Sequence, residues 1–307
     1  MNRFFQFRVG EVASFNFCSI VWQQQVTPHI LLWAVGTPLS GPYCVDASRR
    51  YSDTEYPCLV PRDWLGMQSE VEATDGSVPS EDASGDEQLE ELRRLCRESG
   101  VSSRFSETTF RRFLLGRKRD VAGAHRDLVA FAKWREEHGG DSLTLEDCGD
   151  YGRRRVSFLH GRDKRNRPII VSIAGRHPAS RRNFEEVVRL VILLFDEALA
   201  LAAPEEQIMS VFDLSAFGLW NMDLESVKLY LSALQVYYPE TLGQLLVVNA
   251  PFIFWACWSV IKPLIDPATA SKIMFVGIHE LEDFIPPDQI SSEIGLTMAQ
   301  LAESPQD

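Results

Sequence analysis

The sequence predicts an α/β protein: a small N-terminal helical module followed by a mixed, largely parallel sheet with covering helices. Three observations predict it. Residues 86–140 carry only helical signals. From Val156 onward, short β-rich runs alternate with apolar repeats at three- and four-residue spacing. Finally, the later β-rich runs are apolar almost without interruption, as in strands covered on both faces.

Taken in order, a short helix is expected around Glu87 to Glu98. A second follows Ser106, with Phe110, Phe113 and Leu114 on one side. Asp120 reads as the N-cap of a longer helix in which Val121, Ala124, Leu128, Phe131 and Trp134/Arg135 share a face, ended by Gly139-Gly140. Val156 to Leu159 and Ile169 to Ile173 flank GRDKRNRP, a hairpin-like connection. Phe184, Val187, Val188, Val191, Leu194, Phe195 and Ala198 repeat as a helix, and Ile208 to Leu214 reads as a strand. Leu224, Val227, Leu231, Leu234 and Tyr238 form the next amphipathic helix. Strand-like Leu245 to Val248, an apolar helix from Phe252 to Ile265, and strand-like Ile273 to Val276 complete the run.

The 307 residues suffice for one large domain or two small ones. The net charge of −12 is local, because Gln68 to Leu92 holds nine acidic residues and no basic one. Residues 1–67 show no sustained period and are left as an unassigned, poorly ordered extension. Residues 68–85, rich in Ser, Gly and carboxylates, read as a disordered acidic linker. The helical module is expected over 86–140, the α/β domain over 141–296 and a tail over 297–307. Six dispersed cysteines without close spacing read as reduced thiols. With no secretory signal pattern, the expected location is cytoplasmic, peripheral on membranes.

The most apolar run, Leu245 to Ile261, is shorter than the ~20 residues a spanning helix needs and is interrupted by Asn249-Ala250-Pro251. Proline divides it into a buried strand and an apolar helix. That helix carries Phe252, Phe254, Trp255, Trp258 and Ile261 on all sides. It reads either as a core helix or as a lid that covers an apolar cavity and touches a bilayer when open.

Glycine-rich nucleotide loops, nucleophile elbows and paired-histidine metal motifs are absent from the sequence, which argues against those enzyme classes. The basic clusters lack the zinc-finger spacing or aromatic platform of a nucleic-acid binder. One stretch does gather anion-binding chemistry. Asp266 can cap a helical turn with Pro267 at its first position, bringing Thr269 and Lys272 to one side, although Asp-Pro also simply caps helices.

At these residues the chain resembles the CRAL-TRIO lipid-binding family, including phosphatidylinositol transfer proteins of the secretory pathway. Three stretches carry the resemblance: FRRFLLGRKRDVAGAHRDLVAFAKWR, VFDLSAFGLWNMD and YYPETLGQLLVVNAPFIFWACWSVIKPLIDPATASKI. It implies a sheet that floors a one-lipid cavity, and an apolar helix that gates it. It further implies phosphoinositide headgroup ligands at Arg117, Lys118, Glu240, Thr269 and Lys272, with Thr269 donating to the phosphate. Ser210 matches one small hydroxyl of the phosphatidylcholine pocket in the family, whereas Ile208 stands where another would be. The cavity and gate set is Ser210, Phe252, Phe254, Trp255, Trp258 and Ile261.

The expected function is therefore non-enzymatic binding and intermembrane transfer of phosphatidylinositol, with no cofactor beyond the bound lipid. Lipid sensing or presentation without net transfer, and carriage of a sterol or squalene-like ligand, are the alternatives. A GTPase adaptor role follows only from some relatives of the fold. The expected partners are a phospholipid and a transient membrane surface, with no nucleic acid, and the chain is expected to be a monomer.

Overall fold

The computed structural model describes residues 83–202 and 207–303. The extension over 1–67, the linker up to residue 82 and the last four residues of the tail lie outside the described residues.

Three helices come first. Helix α1 (Ala83–Glu98) begins two residues before the expected end of the linker and buries Leu89, Leu92 and Cys96 at spacings of three and four. Helix α2 (Glu107–Gly116) starts where the Ser106 hydroxyl accepts the Thr109 N–H at 3.2 Å. Helix α3 (Val121–Glu137) has Asp120 at its N-cap position, but the carboxylate makes no capping bond there. It lies across Gly123, where a Cβ would come within 2.5 Å of Asp120 Oδ2. Gly139, at φ 76°, takes the left-handed conformation that ends α3. Short helix α4 (Gly149–Arg153) leads into the sheet.

Strands β1 (Ser157–Arg162), β2 (Pro168–Ile173), β3 (Ile208–Asp213), β4 (Leu242–Val248) and β5 (Ile273–Val276) lie side by side in sequence order. Only β1 and β2 are antiparallel, and the remaining pairs are parallel. The crossovers carry α5 (Phe184–Ala202), α6 (Leu224–Ser232) followed by a π-helical turn (Ala233–Tyr237), and α7 (Phe254–Ile261). Strand β4 begins at Leu242, three residues earlier than its apolar run suggests, with a register shift between Ile208 and Met209 that accommodates Gly243 as the extra residue.

Side-chain alternation divides the sheet between two cores. Ile170, Ile208, Leu245, Val247 and Ile273 face α5, α6 and α7. Ile169, Val171, Met209, Val211, Leu246 and Val248 face the other way, onto Leu281, Ile285, Ile294 and Leu301. The chain after β5 is therefore the second cover. The expected tail is helical over Met298–Glu303 (with α8, Pro267–Ala270, preceding β5, this is α9), and Leu301 is buried under the sheet.

The helical module is tied to the sheet domain at the Tyr237-Tyr238 pair. Trp134 stacks on Tyr237 with centroids 4.1 Å apart, and Phe131 meets Tyr238 edge-on at 5.2 Å. Arg135 Nη1 reaches Asp196 Oδ2 at 2.7 Å, while the Tyr238 hydroxyl donates to Asp196 Oδ1 at 2.9 Å. Burial pushes the Asp196 carboxyl above its ordinary range despite the opposing pull of Arg135.

Candidate functional site

Between the sheet and the crossover helices lies a cavity of about 210 Å³. Its floor includes Ile170, Phe212 and Val247, and its walls come from α5, α6 and α7. That volume is below the ~300–1,000 Å³ of ordinary ligand pockets, so a two-chain lipid requires displacement of a wall. The wall with the least anchoring is α7: it is eight residues long, has no side-chain cap, and is followed by a 3₁₀ turn (Lys262–Leu264) because Pro263 offers no N–H to continue the ladder.

The gate helix is thus shorter than the Phe252 to Ile265 span expected from sequence. Phe254, Trp258 and Ile261 line the cavity. Phe252 does not: it precedes the helix, on the turn after Pro251, and is exposed. Trp255 also points elsewhere, its ring lying on Phe275 with centroids 4.8 Å apart. Phe252, Ala256, Val260 and Leu264, spaced by four, are all exposed, so the helix presents an apolar stripe outward as well as inward.

Ser210 is buried at the middle of β3 but reaches the cavity only through Tyr230, whose phenol lies 2.6 Å from the Ser210 hydroxyl. Burial pushes the Tyr230 phenol well above its usual range. Tyr230 is a wall residue that sequence reading passed over, although it lies three residues after Val227 on the inward stripe of α6. At another part of the wall, the Tyr151 hydroxyl and His177 Nδ1 lie 2.6 Å apart, and His177 Nε2 lies 3.3 Å from Asp223 Oδ2 without hydrogen-bond alignment. Burial holds the His177 imidazole below its ordinary pKa, with Asp223 pulling the other way.

The expected headgroup residues gather at one edge, where the parallel strands begin. Gly116 ends α2 against Pro239, and a Cβ there would come within 2.9 Å of Pro239 Cβ. Arg117 and Lys118 therefore follow directly beside the Pro239-Glu240 turn that starts β4. Lys118 and Glu240 both adopt positive φ, 51° and 59°, and both are exposed. Lys272 joins the same edge, since its carbonyl accepts from Leu245 N at 2.8 Å and from Gln244 Nε2 at 3.1 Å.

Two expected ligands are already engaged. Arg117 makes a two-point ion pair with Asp127, one contact at 2.9 Å. Thr269 is buried, and its hydroxyl donates to Asp266 Oδ2 at 2.7 Å while Asp266 Oδ1 accepts the Thr269 N–H at 2.9 Å. The Asp266 carboxylate thus occupies the place at the start of α8 where an anion was expected, and Thr269 has no proton left to donate. Lys118 and Lys272 have no ion-pair partner among the described residues. A larger cleft of about 330 Å³ lies beside Tyr237 and Tyr238, but its Arg104 and Arg135 are paired with Glu136 and Asp196.

The family description "CRAL/TRIO domain" matches residues 153–295. These residues form a CRAL/TRIO domain. The chain is 32% identical over 215 residues to a CRAL-TRIO domain-containing protein of Schizosaccharomyces pombe, covering 66% of this chain and 48% of that protein. It is 30% identical over 235 residues to a phosphatidylinositol transfer protein of Eremothecium gossypii, covering 68% and 54%. A SEC14 cytosolic factor of the same organism is 28% identical over 261 residues, covering 72% and 78%. The chain therefore spans about half the length of the first two relatives. The crystal structure of Sfh5 superposes with a TM-score of 0.51 at 17% identity, covering 64% of this chain and 82% of Sfh5, a likeness of fold. Among the described residues, no helix is long and apolar enough to cross a membrane.

Proposed function

We propose that this protein binds one lipid in the CRAL/TRIO cavity and exchanges it with membranes, and that phosphatidylinositol is the preferred cargo. The observation that carries the reading is an apolar cavity whose least-anchored wall, α7, is apolar on both faces. Outward movement of α7 would bring its Val260, with the flanking Phe252 and Leu264, into acyl chains and admit lipid to the space it vacates. Each acyl methylene sheltered from water contributes about 0.8 kcal/mol, which offsets extraction from an equally apolar bilayer.

Lys118 and Lys272 would take the phosphate, and Glu240 would accept from inositol hydroxyls. Arg117 would contribute only by leaving Asp127, and Thr269 acts by holding the Asp266 turn. The names of the relatives, phosphatidylinositol transfer protein and SEC14 cytosolic factor, support this cargo. Exchange needs no bond making or breaking, so the proposal assigns no catalytic residue and no cofactor. The chain is proposed to act as a monomer at the cytoplasmic face of membranes.

The test is vesicle-to-vesicle transfer of labelled phosphatidylinositol by the full chain. Wild type should transfer, and Lys118→Ala/Lys272→Ala should transfer several-fold more slowly. Equal rates would remove the headgroup assignment. Tight one-to-one retention without net transfer would replace exchange by presentation.

A further inference from the structure

We propose that Trp220, on the turn after β3, is a membrane anchor fixed to the body of the CRAL/TRIO domain, and that with Phe252 it seats this edge of the sheet on a lipid surface. The proposal rests on the lipid-exchange reading and adds a contact that the moving helix α7 does not supply.

Trp220 and Phe252 are the two most exposed large apolar side chains among the described residues, at 68% and 70%. Single exposed apolar residues are ordinary on protein surfaces and call for no explanation. These two are neighbours in topology. Their turns leave adjacent parallel strands, where Asp213 of β3 is in register with Val248 of β4. Phe217, on the chain between β3 and Trp220, also meets Phe254, at the start of α7 just after Phe252, with ring centroids 5.6 Å apart and edge-on. Leu219, exposed beside Trp220, extends the same patch.

The Trp220 turn is also held by hydrogen bonds that do not involve α7. Buried Asn221 accepts the Gly218 N–H at 3.1 Å and donates through Nδ2 to the His177 carbonyl at 3.0 Å. The indole folds back over Gly218, where any Cβ would come within 2.4 Å of the ring. Trp220 is thus preorganised, with little ordering entropy left to lose on contact. The occupant is a bilayer because the same turn forms cavity wall through Asn221 and Met222, so the patch borders the space a membrane lipid must enter. Tryptophan also prefers the headgroup level of a bilayer.

Charge plays a small part at this edge. Arg182 is engaged by Asp223 and Glu225, and the exposed Arg181, on the neighbouring turn Ala179–Arg181, acts on the Asp150 carboxylate. Anchoring by Trp220 should therefore persist on neutral lipid and in high salt.

The experiment is partitioning of the full chain onto phosphatidylcholine vesicles at low and high salt, with native mass spectrometry of lipid retained in solution. Trp220→Ala should lower the partition coefficient about tenfold at both salt concentrations while retained lipid is unchanged, and Trp220→Phe should keep most of the binding. Wild-type partitioning by Trp220→Ala would overturn the anchor. So would loss of retained lipid together with vesicle binding, which would mark Trp220 as structural. A wild type that holds lipid but ignores vesicles would also overturn the anchor, and would leave the cavity reading standing.

Discussion

The hydroxyl of Ser210, at the centre of β3, lies 2.6 Å from the phenol of Tyr230 on α6, a polar contact at the wall of a largely apolar cavity. The pair fixes the phenol against the sheet. Tyr230→Phe should cost about 1 kcal/mol in urea unfolding, because it leaves a buried hydroxyl without its partner. Adding Ser210→Ala should recover part of that loss, since removing both partners leaves nothing unsatisfied. A double variant no more stable than Tyr230→Phe alone would contradict this.

Asp196 joins α5 to the helical module through Arg135 and Tyr238. Its side chain keeps some solvent contact, so the loss on Asp196→Ala is set at about 1–3 kcal/mol rather than at the full cost of a buried charge. Urea midpoints of Asp196→Ala and Asp196→Asn measure it. An unchanged midpoint would mean the module is held by aromatic contacts alone.

At Gly116 the first side-chain carbon has no room, with Pro239 Cβ only 2.9 Å from where it would lie. Gly116→Val should push the end of α2 away from the Pro239-Glu240 turn, and overpacking of this kind costs about 1–3 kcal/mol. Because Arg117 and Lys118 ride on that end, the preference for phosphatidylinositol over phosphatidylcholine should fall with it. A competition transfer assay reads the preference directly.

His177 is buried with its pKa lowered, so the folded state favours the neutral ring and the unfolded state binds the proton more readily. Stability from this residue is fully present above the unfolded value of about 6.5 and is lost as pH falls through that value towards the lower folded one. Thermal melts from pH 7.5 to 5 should therefore show a larger drop for wild type than for His177→Gln. Identical pH profiles would exclude His177 as the source.

Periodicity carried the reading furthest where one element meets one core. The helix from Phe184 and the strand Ile273–Val276 were legible because their apolar spacing reflects burial against neighbours on fixed faces. Long-range consequences were hidden. Leu301 looks like part of a polar tail, yet it covers the second face of the sheet. Phe252 and Trp255 match the gate pattern in composition, but the helix starts after Phe252 and turns Trp255 onto Phe275. Thr269 matches the headgroup motif, and only the structure shows its proton held by Asp266. Arg117 likewise has its partner ten residues away on α3, a pairing that no local pattern announces.

The central claim is that the cavity beneath Phe254 and Trp258 shelters a lipid, and native mass spectrometry of the full chain purified from its host tests it most directly. A single added mass that fragments as a phosphoinositide, displaced when Tyr230→Trp fills the space, is the predicted result. An unliganded mass for every preparation, unchanged after incubation with phosphatidylinositol vesicles, would contradict it.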